Sequence, residues 1–335
     1  MTHDERVEAL GYLGLTPRQT RFLVTVMLHS GFCLRRQYAA FAGVEVGKNV
    51  RNFLDGLVDR GLARRLRIEI NRGHVYHVHA RSLYRAIAQD DNRNRRTTSP
   101  ALIARKLMLL DFVLREPADA WFATEPDKVA LFRDRFQVPL AHLPRRVYVT
   151  RDPRAEPPAR YFIQKLPIYL VGDPAVVHFV CLLTGAPTEF AGFLWDHRGL
   201  VARLPAWTMV AVVPPQVADA RACQALFDQF VRGELRSPAT GRVADLRWYF
   251  STRRAIDAND LDALSVTQID RFHAARRQFA GPLMESLYAE WLADGDVVLG
   301  RLERGTPVTV PTPGRLLVRT LPYTYTQFGA LPGVA

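Results

Sequence analysis

His74, His77 and His79 form the densest group of metal-type ligands in the chain, and alternation along a strand turns His77 and His79 to one face. Two converging imidazoles with no cysteine or carboxylate pair beside them fall short of a metal site, so their expected role is in a strand. Asp173, Glu189, Asp196 and His197 are the groups a hydrolase would use, but their spacing matches no hydrolytic template. A nuclease places a strand-borne acid ahead of Glu-x-Lys, so that carboxylates hold a metal and a lysine stands beside the scissile phosphate. That pattern is absent, as are a glycine-rich phosphate loop with its lysine and a serine nucleophile elbow. No catalytic, metal or cofactor residue is assigned. A different chemistry has better candidates. Lys48, Asn49, Arg51 and Asn52 can hydrogen-bond guanine or adenine edges in a major groove, and Arg64, Arg65, Arg67, Arg72 and His74 can meet phosphates or a minor groove.

The distribution of charge agrees. The chain carries a net +12, and residues 1–106 hold 19 Lys and Arg against 9 Asp and Glu, while the remainder holds 26 against 24. Positive charge gathered in one third of a chain releases counterions from a polyanion, so double-stranded DNA is the expected partner and an anionic membrane the less favoured one. With 48% hydrophobic residues and 23% charged, global disorder is excluded, and 335 residues suffice for two or three domains. Cys33, Cys181 and Cys223 lie far apart, which suits buried thiols in a reducing compartment. The segment from Met1 to Arg6 lacks a signal-peptide apolar stretch, and no apolar run reaches the roughly 20 residues of a membrane span. The expected location is cytoplasmic and nucleoid-associated.

The elements that must position these side chains are legible in order. Thr16-Pro17-Arg18-Gln19 has the capping-box form with proline at the first helical position, and Phe22, Leu23, Val26 and Met27 follow at helical spacing. Phe32 to Leu34 suits a short strand, and Arg36 to Ala42 a second helix closed by Gly43. Val50, Phe53, Leu54, Leu57 and Val58 make a clean amphipathic stripe that Gly61 terminates, which turns Lys48, Asn49, Arg51 and Asn52 to the opposite face. Leu66, Ile68 and Ile70 alternate with Arg65, Arg67 and Glu69; after Asn71-Arg72-Gly73 the alternation resumes at Val75, Tyr76 and Val78. This predicts a basic hairpin with Arg72 at its tip.

Helix, short strand, helix, amphipathic helix and basic hairpin, over roughly residues 10–89, resemble the winged-helix superfamily. The resemblance implies a recognition helix carrying Lys48, Asn49, Arg51 and Asn52 and a wing carrying Arg72. A second similarity is to replication-relaxation proteins of bacterial plasmids and integrative elements, whose winged helix also ends in a tyrosine-containing strand and a helix. Some winged helices mediate protein contacts alone.

The expected class is α+β: a winged helix-turn-helix domain at 1–89, a linker at 90–100, a helical connector or dimerization region at 101–144, and a mixed α/β domain of unknown role at 145–335. Asp90 to Pro100 is polar and ends in proline, hence the linker. Leu102, Ile103, Leu107, Leu110, Val113 and Leu114 crowd a helix that needs burial on more than one side, as a dimer element or as core. Beyond 145, Val147–Val149, Tyr161–Val171, Val176–Leu183, Trp207–Val213 and Leu246–Phe250 are strand-like. Glu189–Leu204, Ala218–Gly233 and Val266–Ala293 are helical, the last interrupted at Gly281-Pro282. The function expected is that of a sequence-specific regulator or mobile-element accessory factor, binding as a homodimer with a possible protein partner at the C-terminal domain. The alternatives are a metal-dependent nuclease or strand-transfer enzyme, resting on Asp173, Glu189 and Asp196, and a scaffold subunit.

Overall fold

The computed structural model describes residues 1–68, 73–147, 159–184, 188–215, 220–235, 243–260, 264–279, 282–304 and 314–325. After α1 (His3–Glu8) comes α2 (Pro17–His29), whose Thr16 and Gln19 form the reciprocal capping box that the sequence announces. A strand β1 (Phe32–Cys33) leads into α3 (Arg35–Ala42), which Gly43 ends at φ 65°. Helix α4 (Lys48–Asp59), strands β2 (Ala63–Arg67) and β3 (His74–Val78), and α5 (Arg81–Ala86) come next. The three strands form one antiparallel sheet in the order β1-β3-β2. Phe22, Val26, Met27, Tyr38, Val50 and Leu54 fill a core beneath it.

Helix α6 (Pro100–Val113) opens the second half and is followed by β4 (Ala120–Phe122) and α7 (Glu125–Ala130). Strands β5 (Arg145–Val147) and β6 (Ala159–Tyr161) pair as a ribbon. Beyond them lie β7 (Ile168–Leu170), β8 (Val176–Leu182), α8 (Thr188–Val201), β9 (Ala206–Val213) and α9 (Ala220–Val231). Four helices complete the set, α10 (Val243–Asp257), α11 (Val266–Gln278), α12 (Pro282–Asp294) and α13 (Asp296–Arg304), before a final strand β10 (Gly314–Thr320). The architecture is α+β.

The main sheet has the order β10-β9-β8-β7-β4, with β8, β9 and β10 parallel and β7 antiparallel to both neighbours. Pleating sorts its faces. Trp207 points toward α9, where it meets Phe227 and Phe230, and Phe179 lies against His197 of α8. Tyr169, one residue out of phase, faces the other way onto Phe112 of α6 and donates its hydroxyl to Glu116. Gly314 stands in register with Trp207, and a Cβ there would run into the indole.

Several expectations change. Leu246–Phe250 is helical within α10, because Leu246, Tyr249 and Phe250 fall at helical spacing and bury together with Phe272, Phe279 and Trp291 in a separate helical core. The span 101–144 is no freestanding connector, since its β4 is an edge strand of the main sheet. Helix α6 spends its apolar residues on core: Leu107, Met108 and Phe112 enter that of the main sheet, while Leu110 enters that of the first ninety residues. Residues 90–100 are docked rather than solvated. Asn94, in a 3-10 turn, donates to the Met27 and Leu28 carbonyls, and Lys106 donates to its side-chain oxygen. Gly31, at φ 78°, admits this turn, because a Cβ would collide with the Asn94 carbonyl. Tyr148 and Val149 of an expected strand, and Gly281 of the expected break, lie outside the described residues.

Across the seam between the halves, Arg36 of α3 donates two bonds, 2.5 and 2.7 Å, to the buried Asp111 of α6, which also accepts the Tyr325 hydroxyl at 2.7 Å. Removing the carboxylate leaves a half-buried guanidinium without its partner, so Asp111→Ala is expected to cost about 3–5 kcal/mol in urea denaturation. Acid is expected to destabilise the fold as well. Burial pushes His29 and His77 down to about 3 and His197 to about 4. The unfolded chain binds protons near 6.5 that the folded chain refuses, so stability is lost as pH falls from about 6.5 toward those values. Asp196, raised to about 6 by burial, works in the opposite direction as one group against three. Thermal melts should therefore fall by at least about 2 °C per pH unit between pH 6 and 4.

Candidate functional site

Helix α4 divides into two faces. Val50, Phe53, Leu54 and Leu57 are buried, whereas Lys48, Asn49, Arg51 and Asn52 are all exposed. Lys48, Asn49, Arg51 and Asn52 thus share one end of one solvent-facing helix surface, with no ion pair to Lys48 or Arg51 among the described residues. Gly47 at the N-cap offers no side-chain acceptor, and the first turn holds no acid, so the unpaired backbone N–H groups add positive potential beside Lys48. The preceding turn leaves Val44 and Val46 exposed.

Asp55, one to two turns further along the same helix, joins it to its neighbours. It accepts the Tyr76 hydroxyl at 2.7 Å and pairs with Arg35 at 3.3 Å and Arg65 at 3.6 Å. Arg35 also donates to the Tyr76 oxygen at 2.8 Å. Burial alone would raise the Asp55 carboxyl, but the Tyr76 hydroxyl, Arg35 and Arg65 outweigh it and hold the group below the usual carboxylate range. Tyr76 is pushed up to about 12, first by burial and then by its bond to Asp55. This network brings α3, α4, β2 and β3 together and sets Arg65 against α4. Arg67, two residues along β2, is exposed as well.

The other expected contacts differ in their surroundings. Arg64 is half-buried; its Nε donates to His77 Nδ1 at 3.1 Å and its Nη2 to the Thr97 hydroxyl at 2.6 Å, so it serves the docking of residues 90–100. With Nδ1 accepting, His77 must donate from Nε2, and it does so to the Asn94 carbonyl at 3.1 Å while stacking on Phe32 at 4.1 Å. The ring is a neutral structural element. His74 is half-buried, and burial followed by Arg65 and Arg35 lowers its imidazole below the ordinary histidine value. Arg72 lies outside the described residues.

The acidic candidates are separate. Asp173 accepts from the Ala175 N–H in a turn, Glu189 from Thr184 N–H with Arg105 nearby at 3.7 Å, and Asp196 borders a cleft beside α8. Among the described residues no three His, Cys, Asp or Glu side chains are grouped to hold a metal ion. Periodicity alone does not reveal Asp55, Arg35 and Tyr76, because they come from three elements; the exposed Val44 and Val46 carry a weak signal, as β-branched residues between glycines at 43 and 47. No family model, no curated protein and no solved structure matches the chain. No helix among the described residues is long and apolar enough to cross a membrane.

If the Asp55 network sets the helix against the hairpin, Asp55→Asn should destabilise the protein by about 1–2 kcal/mol in chemical denaturation. The exposed Asn49→Ala should change it by less than about 0.5 kcal/mol.

Proposed function

We propose that the chain binds double-stranded DNA through a winged-helix arrangement in which α4 enters the major groove and the β2–β3 hairpin lies along the backbone. The observation that carries this reading is the composition of the exposed α4 surface. Two cations and two amides stand on it beside an uncapped helix N-terminus, and Asp55 draws Arg65 to the same helix. Arginine and lysine reach guanine edges, asparagine reaches adenine, and exposed valines such as Val44 and Val46 suit thymine methyl groups. The order of helices and strands, and the concentration of positive charge in the first 106 residues, support the same reading. In this proposal the protein is a sequence-specific regulator or a mobile-element accessory factor that binds paired half-sites as a homodimer, through a surface other than α6. Lys48, Asn49, Arg51 and Asn52 read bases; Arg65, Arg67 and Arg72 meet phosphates, with Arg64 and His74 acting through the hairpin's shape.

Mobility-shift titrations on a site selected from random duplexes test this. Lys48→Ala with Arg51→Ala should weaken binding at least tenfold and lower the slope of log affinity against log salt by about 1 to 2. Arg133→Ala, a surface change whose ion pair among the described residues is to its neighbour Asp134, should leave both unchanged. Equal affinity of the double variant and the parent would overturn the assignment of α4, and a footprint without two half-sites would overturn the dimer.

A further inference from the structure

A cleft of about 590 Å³ opens where the β7 and β8 end of the main sheet meets α8 and α12. This lies within the roughly 300–1,000 Å³ typical of small-molecule sites. Phe162, Phe193, Trp195 and Leu287 give it apolar walls, and charged groups converge on it from four segments of chain.

Those charges do not cancel. Four cations, Arg145, Lys165, Arg198 and Arg203, line the cleft with two carboxylates, Asp196 and Glu290. Both carboxylates act on Arg198, whose guanidinium lies 4.2 Å from the Trp195 ring centre and donates to the Trp195 carbonyl at 2.6 Å. Arg145 and Arg203 form no ion pair among the described residues, and Arg203 is held by the Gly199 carbonyl at 3.0 Å. Both line the cleft with His142, whose imidazole is held below the ordinary histidine value first by burial and then by Arg203 and Arg145. The turn that follows β6, next to Arg145 across the β5–β6 ribbon, is strained. Phe162 at φ 50° and Lys165 at φ 55° both adopt the left-handed region without being glycine, a conformation that persists where surrounding structure imposes it and that clusters at ligand sites.

We propose that this cleft binds a small organic anion with an aromatic body, its acid group between Arg145 and Arg203 and its ring system against Phe162, Phe193 and Trp195. The walls exclude water from one side of the ligand, which strengthens a charge-assisted bond to the arginines over one made on open surface. This inference is independent of DNA binding and is tested without it.

The probe is 1-anilinonaphthalene-8-sulfonate, titrated by fluorescence against the full chain, with uncharged N-phenyl-1-naphthylamine as its counterpart lacking the acid. One saturable site is expected for the sulfonate. Arg145→Gln with Arg203→Gln, both exposed side chains, should weaken the sulfonate at least tenfold and the uncharged probe less than twofold. Ser286→Trp, which fills the cleft from α12, should remove both signals while circular dichroism remains that of the parent. Unchanged sulfonate affinity in the arginine variant, equal losses for both probes there, or unsaturable binding would overturn the proposal.

Discussion

The Asp111 carboxylate is the constraint around which the two halves are assembled. A buried carboxylate costs free energy to remove from water and is tolerated where its lone pairs are filled. Here Arg36 and Tyr325 fill them, and the Tyr323 ring covers the guanidinium at 3.6 Å. Around this point the seam is closed by Gln37 donating to the Leu107 carbonyl, Lys106 donating to the Ser30 carbonyl, and Arg6 pairing with Asp127. Burial drives Lys106, which sits in this seam, down to about 7. Phe32 and Val75 of the first sheet, and Ile68 just after β2, belong to the same apolar core as the main sheet. The first ninety residues are therefore one packed body with the second half, and α4, which rests on α3, inherits its orientation from that joint.

The exposed face of α4 and the hairpin are coupled by a second polar cluster, which begins one residue away in sequence. Arg35 turns to Asp55 and Tyr76, whereas Arg36 turns to Asp111. Adjacent arginines at the start of α3 thus divide two tasks, one holding the helix-and-hairpin surface together and the other anchoring it to the second half. Both clusters contain a tyrosine hydroxyl, a neutral donor to a carboxylate that otherwise takes one arginine at Asp111 and two at Asp55.

Local signals in the sequence are reliable where local physics decides. The Thr16–Gln19 cap, the Gly43 stop and the buried stripe of α4 depend on neighbours within one or two turns, and each stands at the expected place. The exposure of Lys48, Asn49, Arg51 and Asn52 is that stripe's complement. The features hidden from the sequence depend on distant partners. Arg64 looks like any cation on a hairpin until His77 and Thr97 are placed beside it, and the polar run around Asn94 looks like a linker until Gly31 makes room for it. The aromatic run Trp248-Tyr249-Phe250 has strand-like composition, yet helical spacing against Phe272 and Trp291 decides its state. Burial of α6 on two sides is legible in its residues, but the neighbours that supply it are not.

Strand β10 lies more than two hundred residues after α6, yet it pairs along all seven of its residues with β9, and Tyr325 just beyond it completes the surroundings of Asp111. During synthesis, therefore, the ribosome releases the first core long before the side chain that seals it. Until that late segment emerges, the β9 edge lacks its β10 partner and the carboxylate in α6 holds one hydrogen-bond donor fewer, so the early joint is short of one of its bonds until Tyr325 has been made.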